Sequence, residues 1–215
     1  MFGIETRYLS FFFGLVSILS FFNIIYSYYL NLYLNLDTYY LSFFCSLVIS
    51  ILFYNLKFEQ KRLTIFNKIL TVFVGYIFIP LVLSIPFYFS IYNLTLLNSF
   101  FEAISGFTST GFTIFDNIKH IDQSLILWRS STQWIGGLYF LFSIIFLIDI
   151  YDENFKKTLT NFISFDSSEI FKQAIKIFLL YSVLTLIIFI ILNIFSIRTF
   201  DSLNLAFSLI SSGGF

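Results

Sequence analysis

Charge is missing from this chain in long stretches, and no other feature limits its fold so tightly. No Asp, Glu, Lys or Arg occurs between Arg7 and Asp37, between Asp37 and Lys57, or between Lys68 and Glu102. Two further gaps run from Arg129 to Asp149 and from Lys176 to Arg198. A helix needs about 20 apolar residues to cross roughly 30 Å of hydrocarbon, and each gap is long enough or nearly so. The gaps predict five spans, near 8–34, 38–56, 66–92, 125–148 and 174–196. The first is too long for a cleaved signal peptide, and no small-residue cleavage site follows it, so it is expected to remain in the mature protein. Only 11% of the 215 residues are charged, against roughly 25% in soluble domains. A globule of this size could not coat its surface with so little charge, so lipid is the expected outer solvent.

Positive charge collects in loops that stay cytoplasmic. The loop after span two carries Lys57, Lys61, Arg62 and Lys68 against Glu59. The loop after span four carries Lys156, Lys157 and Lys172, diluted by Asp152, Glu153, Asp166 and Glu169, and Lys176 opens the next span. With Arg7 ahead of span one, these segments share a side if spans three and four are joined outside the cell. The N-terminus is then expected in the cytoplasm and the 93–123 connection outside. Net charge is zero and no basic face forms, so no nucleic-acid partner is expected.

The outer connection is unusual. Asp116, Lys119, His120 and Asp122 mark a wetted stretch, but Leu94–Ile114 holds one charge, Glu102. It reads as a short helix over about 94–105 followed by Ser105-Gly106-Phe107-Thr108-Ser109-Thr110-Gly111-Phe112-Thr113. An apolar half-helix that enters and turns back is a re-entrant element, tolerated at that depth where it is buried in protein or lines a water-filled path. A dehydrated cation needs several oxygen ligands at similar distances, and backbone carbonyls supply them. Gly111 permits dihedrals that turn carbonyls inward, and the pore helix would point its negative end at the cation. The same run also reads as a plain Ser/Thr/Gly connection without an ion.

A second copy favours the cation reading. Offset by 103 positions, Asp201–Phe215 aligns with Asn98–Phe112, with identities at Ser202, Ala206, Ser208, Ser212, Gly214 and Phe215. Each copy follows a charge-free span, so the chain repeats a span, pore-helix, filter, span unit. One loop cannot surround an ion, so a pore requires several such units about an axis.

The stretch Phe101-Glu102-Ala103-Ile104-Ser105-Gly106-Phe107-Thr108-Ser109-Thr110-Gly111 resembles the first filter of Trk/Ktr-type potassium transporters. Trp128-Arg129-Ser130-Ser131-Thr132-Gln133-Trp134-Ile135-Gly136-Gly137 resembles the start of that family's next helix, and Ser211-Ser212-Gly213-Gly214-Phe215 its second filter. Two spans ahead of the first unit favour the Trk-like branch. The resemblance implies four repeats around a central pore, with Thr108, Ser109, Thr110 and Gly111 as one wall and Ser211, Ser212, Gly213 and Gly214 as a second. Potassium is then the transported ion, bound only at these filter residues. It also implies a cytoplasmic nucleotide-binding regulatory subunit and a homodimer in the bacterial inner membrane. Family members often continue the Gly-Gly run with Met-Gly, whereas Leu138-Tyr139 follows here, which puts close packing at that point in question.

The expected fold is all-α and transmembrane: 1–64 as two leading helices and a loop, 65–150 as the first pore repeat, 151–173 as a cytoplasmic loop, and 174–215 as a second repeat cut short. Phe215 stops inside the second filter, which is expected of an N-terminal fragment. Arg129 either snorkels to the interface or supports the filter. Glu102 either concentrates cations or braces filter amides. Gly136-Gly137 is expected to make a close helix contact, and Trp128 and Trp134 to join the interfacial aromatic belt. Asp149 and Asp152 are expected to cap and solvate span four. Cys45 reads as a small packing residue, and His120 lacks a second metal ligand nearby. No strand with Gly-x-Gly-x-x-Gly and no soluble domain occurs, so no nucleotide site is expected in this chain. An intramembrane enzyme would need a constellation that Glu102 and Cys45, in separate segments, do not form, so no enzyme is expected. A non-transporting or decayed membrane scaffold is the alternative reading.

Overall fold

The computed structural model describes residues 5–56, 65–147 and 170–214. Lys57, Glu59, Lys61, Arg62, Asp149, Asp152, Glu153, Lys156, Lys157, Asp166, Glu169 and Phe215 lie outside them, as do the side chains of Lys119 and Lys172. The described residues fold as α1 (Thr6–Tyr29), α2 (Leu36–Asn55), α3 (Ile65–Leu83), the single turn α4 (Ile85–Tyr88) and α5 (Leu96–Phe107). A 3-10 turn (Ile118–His120), α6 (Gln123–Leu147), α7 (Ile170–Ile194) and α8 (Thr199–Ile210) follow. Among the described residues, five helical segments are long and apolar enough to cross a membrane: Thr6–Tyr29, Leu36–Asn55, Ile65–Tyr88, Gln123–Leu147 and Ile175–Ile194. These are the five expected spans, with ends moved by a few residues. The third is broken at Ser84, between Pro80 inside α3 and Pro86 at the start of α4. A proline removes a backbone donor and crowds the preceding turn, so a break is expected beside it.

The packing puts apolar side chains on the outside as well as in the core. Phe22, Phe44, Leu52, Phe73, Leu179 and Leu180 point outward, while serines occupy the contact between α1 and α2. The Ser10 and Ser50 hydroxyls each donate to the other's carbonyl at 2.8 Å, and Ser20 Oγ donates to Ser42 Oγ at 3.1 Å. Lipid tails offer no hydrophobic gain for helix association, so small residues and short polar bonds hold spans together instead. At one end, Asn35 ties this hairpin to the rest. Its amide donates to Asp122 Oδ2 at 3.2 Å and its oxygen accepts from the Ile91 N–H at 3.1 Å. Helix α5 packs between α3 and α6, and α8 between α6 and α7, so α6 stands between the two short helices.

Two expectations about aromatic residues need correcting. Trp128 is fully buried and its indole N–H donates to the Leu83 carbonyl at 3.0 Å. Trp134 is buried and donates to Thr185 Oγ1 at 3.0 Å. Both lie inside the bundle, because α6 is enclosed on most sides, and neither joins a lipid-facing belt.

Candidate functional site

Each short helix ends in the same backbone device. After α5, the Thr110 N–H donates to the Ser105 carbonyl at 3.0 Å and the Ser109 N–H to the Gly106 carbonyl at 2.9 Å. Ser109 takes the left-handed conformation at φ 55°. After α8, the Gly213 N–H donates to Ser208 at 2.8 Å, the Ser212 N–H to Leu209 at 3.2 Å, and Ser212 has φ 54°. This is the Schellman cap, normally built on glycine. The two helices start at 96 and 199 and end at 107 and 210, an offset of 199 − 96 = 103 and 210 − 107 = 103. Left-handed Asn93 and Ser196, ahead of each helix, keep the same offset.

Side chains hold the turns. Thr108 Oγ1 donates to the Ile104 carbonyl at 2.8 Å, and Ser211 Oγ makes the matching bond to Phe207 at 2.9 Å. Ser105 Oγ donates to the Phe112 carbonyl at 2.7 Å, and Ser208 Oγ to Gly213 at 3.3 Å. The carbonyls of Thr108, Ser109, Thr110, Gly111, Ser211, Ser212 and Gly214 accept no hydrogen bond from any described residue. The two turns touch: a Cβ built on Gly111, whose φ is 80°, would lie 2.6 Å from Gly214 Cα. A cavity of about 490 Å³ borders both, lined by Thr108, Ser109, Ser211, Ser212, Phe107 and Tyr76 among others.

Behind the first turn sits a buried ion pair. Glu102 Oε1 accepts from Arg129 Nε at 2.7 Å, and neither side chain reaches solvent appreciably. The same carboxylate accepts from Thr113 Oγ1 at 3.1 Å and from the Ile114 N–H at 3.1 Å. The guanidinium also lies over the Phe115 ring, 5.5 Å from its centroid. Glu102 thus binds the chain leaving the turn to both α5 and α6. Both side chains are buried against each other, and Arg129 does not reach out to an interface. Position 205, offset by 103 from 102, is leucine, so this brace has no carboxylate counterpart at α8.

Helix α6 fits tightly between the turns through its paired glycines. A Cβ on Gly136 would fall 1.9 Å from the Phe107 carbonyl oxygen, and one on Gly137 would fall 2.9 Å from Ser211 Cα. Among the described residues, no cluster of three or more His, Cys, Asp or Glu could hold a metal ion.

No family model matches the chain. An uncharacterized cation transporter of Methanocaldococcus jannaschii is 28% identical over 141 residues, covering 61% of this chain and 28% of that protein. The Trk system potassium uptake protein TrkI of Halomonas elongata is 42% identical over 60 residues, covering 28% and 11%. TrkH of Salmonella typhimurium is 27% identical over 139 residues, covering 61% and 29%. The chain's homologues are Trk potassium uptake proteins and a cation transporter. The crystal structure of the potassium transporter TrkH from Vibrio parahaemolyticus superposes on 98% of this chain with a TM-score of 0.76, at 18% identity, and shares its fold. This chain spans 43% of that protein and less than a third of the length of these three curated relatives. The relatives are named as transporters and uptake proteins, not as enzymes, and with five apolar helices the chain is a multi-pass membrane protein.

Leu138 and Tyr139, which follow the paired glycines, are both buried. The Tyr139 hydroxyl donates to the Val72 carbonyl at 2.9 Å. The room comes from α3, where a Cβ on Gly75 would lie 1.9 Å from that hydroxyl oxygen. Sequence reasoning also passed over Gln133. Its side chain reaches the second turn, against Gly213, and only the tertiary fold reveals that meeting.

Proposed function

We propose that this chain forms part of a potassium uptake protein and supplies two of the oxygen-lined strands that select the ion. One observation supports the reading: backbone carbonyls from Thr108 to Gly111, and at Ser211, Ser212 and Gly214, accept no donor among the described residues while standing in two touching turns. Most of these residues are at least partly open, and a cation with its hydration shell removed is a partner that such carbonyls suit. On this reading Thr108, Ser109, Thr110 and Gly111 form one wall and Ser211, Ser212, Gly213 and Gly214 a second. Glu102 and Arg129 brace the first. The names of the relatives support potassium as the ion.

The wider assembly follows from the same resemblance. Residues 5–56 are leading helices, 65–147 a first pore repeat and 170–214 part of a second, while the expected cytoplasmic loop at 151–173 falls mostly outside the described residues. The complete subunit pairs as a homodimer in the lipid of the bacterial inner membrane, N-terminus inside. A separate cytoplasmic subunit supplies nucleotide control. The test is rubidium and potassium tracer uptake by the complete protein in cells stripped of other potassium uptake systems. Uptake that is lost or de-tuned by Gly111→Val is expected. Uptake unaltered by that change overturns the filter assignment, and no potassium flux from the unmodified protein overturns the function.

A further inference from the structure

The two turns share their backbone but not their side chains, and one difference is filled from outside. In the first turn, the Thr110 hydroxyl bonds the Thr108 hydroxyl at 2.7 Å, completing a short chain that ends on the Ile104 carbonyl. In the second, Ser211 keeps the bond to Phe207, but the position matching Thr110 is Gly213, which has no side chain to continue it. Because residues 109 and 212 share a left-handed φ and both turns share their cap bonds, Cβ atoms at 110 and 213 leave the backbone in matching directions. A Cβ at 213 would lie 2.5 Å from both Cδ and Oε1 of Gln133 and 2.7 Å from its Nε2. The Gln133 side chain is fully buried, and neither amide atom has a hydrogen-bond partner among the described residues. A wholly buried amide with both polar atoms unpaired is rare in folded proteins.

We propose that Gln133 is a positioning residue for the second filter. It reaches across from α6 to occupy the place that a threonine side chain fills within the first filter, and Gly213 is glycine to admit it. The amide sets the second strand's position and so its share of ion selectivity. This rests on the proposed filter function.

The test is a size exchange in the complete protein, with Gln133→Ala, Gly213→Thr and the double variant. Competition of sodium against rubidium uptake measures selectivity, and thermal unfolding of the purified protein measures packing. Contacting residues couple strongly enough to move such ratios by about tenfold. Each single variant is expected to lose about tenfold in rubidium-over-sodium preference, and the double variant to regain most of it. A Gln133→Ala protein with unchanged preference overturns the inference, as does a double variant no better than the sum of its parts. If the unmodified protein carries no potassium, the transport reading falls by itself. The exchange is then read in unfolding temperature, where absence of coupling between 133 and 213 overturns the inference.

Discussion

Glu102 Oε1 and Arg129 Nε meet at 2.7 Å inside the protein, joining the short helix α5 to α6. Removing one partner strands the other charge in a low-dielectric site, which costs about 3–5 kcal/mol. Glu102→Gln and Arg129→Met are therefore each expected to lower the unfolding temperature of the detergent-solubilised protein sharply. The double variant, with no lone charge left, should recover a large part of the loss. Equal damage in single and double variants would show that the pair is not what holds this region.

Much of this arrangement was legible in the sequence, for physical reasons. Spans leave gaps in charge because each ionised group at depth is expensive, so the helices could be counted from Arg7, Asp37 and Lys68 onward. The repeated turns showed as matched serines and glycines, because caps depend on local residues. Trp128, near the start of α6, and Trp134, near its middle, both turn into the bundle, because position along a span says nothing about what surrounds it. Gln133 was missed because its contact with Gly213 is set by the packing of two distant elements.

Gly111 and Gly214 are expected to differ. Gly111 holds φ 80°, and its added Cβ would fall 2.6 Å from Gly214 Cα, whereas a Cβ on Gly214 would come no closer than 3.5 Å to Gly111. A left-handed alanine alone costs roughly 1–2 kcal/mol, and the backbone contact adds to it. Gly111→Ala should remove uptake or its selectivity, while Gly214→Ala should keep a measurable part of both. A tracer assay in which the two behave alike would contradict the asymmetry.

Gly136 should tolerate nothing larger. Its Cβ would meet the Phe107 carbonyl, a backbone atom at the end of α5, at 1.9 Å, so α5 itself must move. Overpacking of this kind costs roughly 1–3 kcal/mol, and the displaced turn is the one beginning at Thr108. Gly14→Ala is the control, because its Cβ meets only Ser50 Oγ at 3.4 Å. Gly136→Ala is expected to abolish rubidium uptake at normal membrane expression, with Gly14→Ala close to the unmodified protein.

The tryptophans give an optical check on how the bundle is packed. Trp128 is wholly enclosed and hydrogen-bonded to Leu83, and Trp134 is closed in by Thr185 and by the rings of Phe178, Tyr181 and Phe207. A brominated lipid quenches indoles that it can touch, and belt tryptophans lie within its reach. In a complete protein retaining only these two tryptophans, emission should resist quenching at every bromine depth along the acyl chain. Trp128→Phe keeps the apolar body but leaves the buried Leu83 carbonyl without its indole donor, at a cost of about 1–3 kcal/mol. Its unfolding temperature should therefore drop with no change in quenching of the remaining Trp134. Strong quenching from lipid in the unmodified protein would mean that α6 faces the bilayer, and the contacts of Gly136 and Gln133 with the two turns would then be wrong as well.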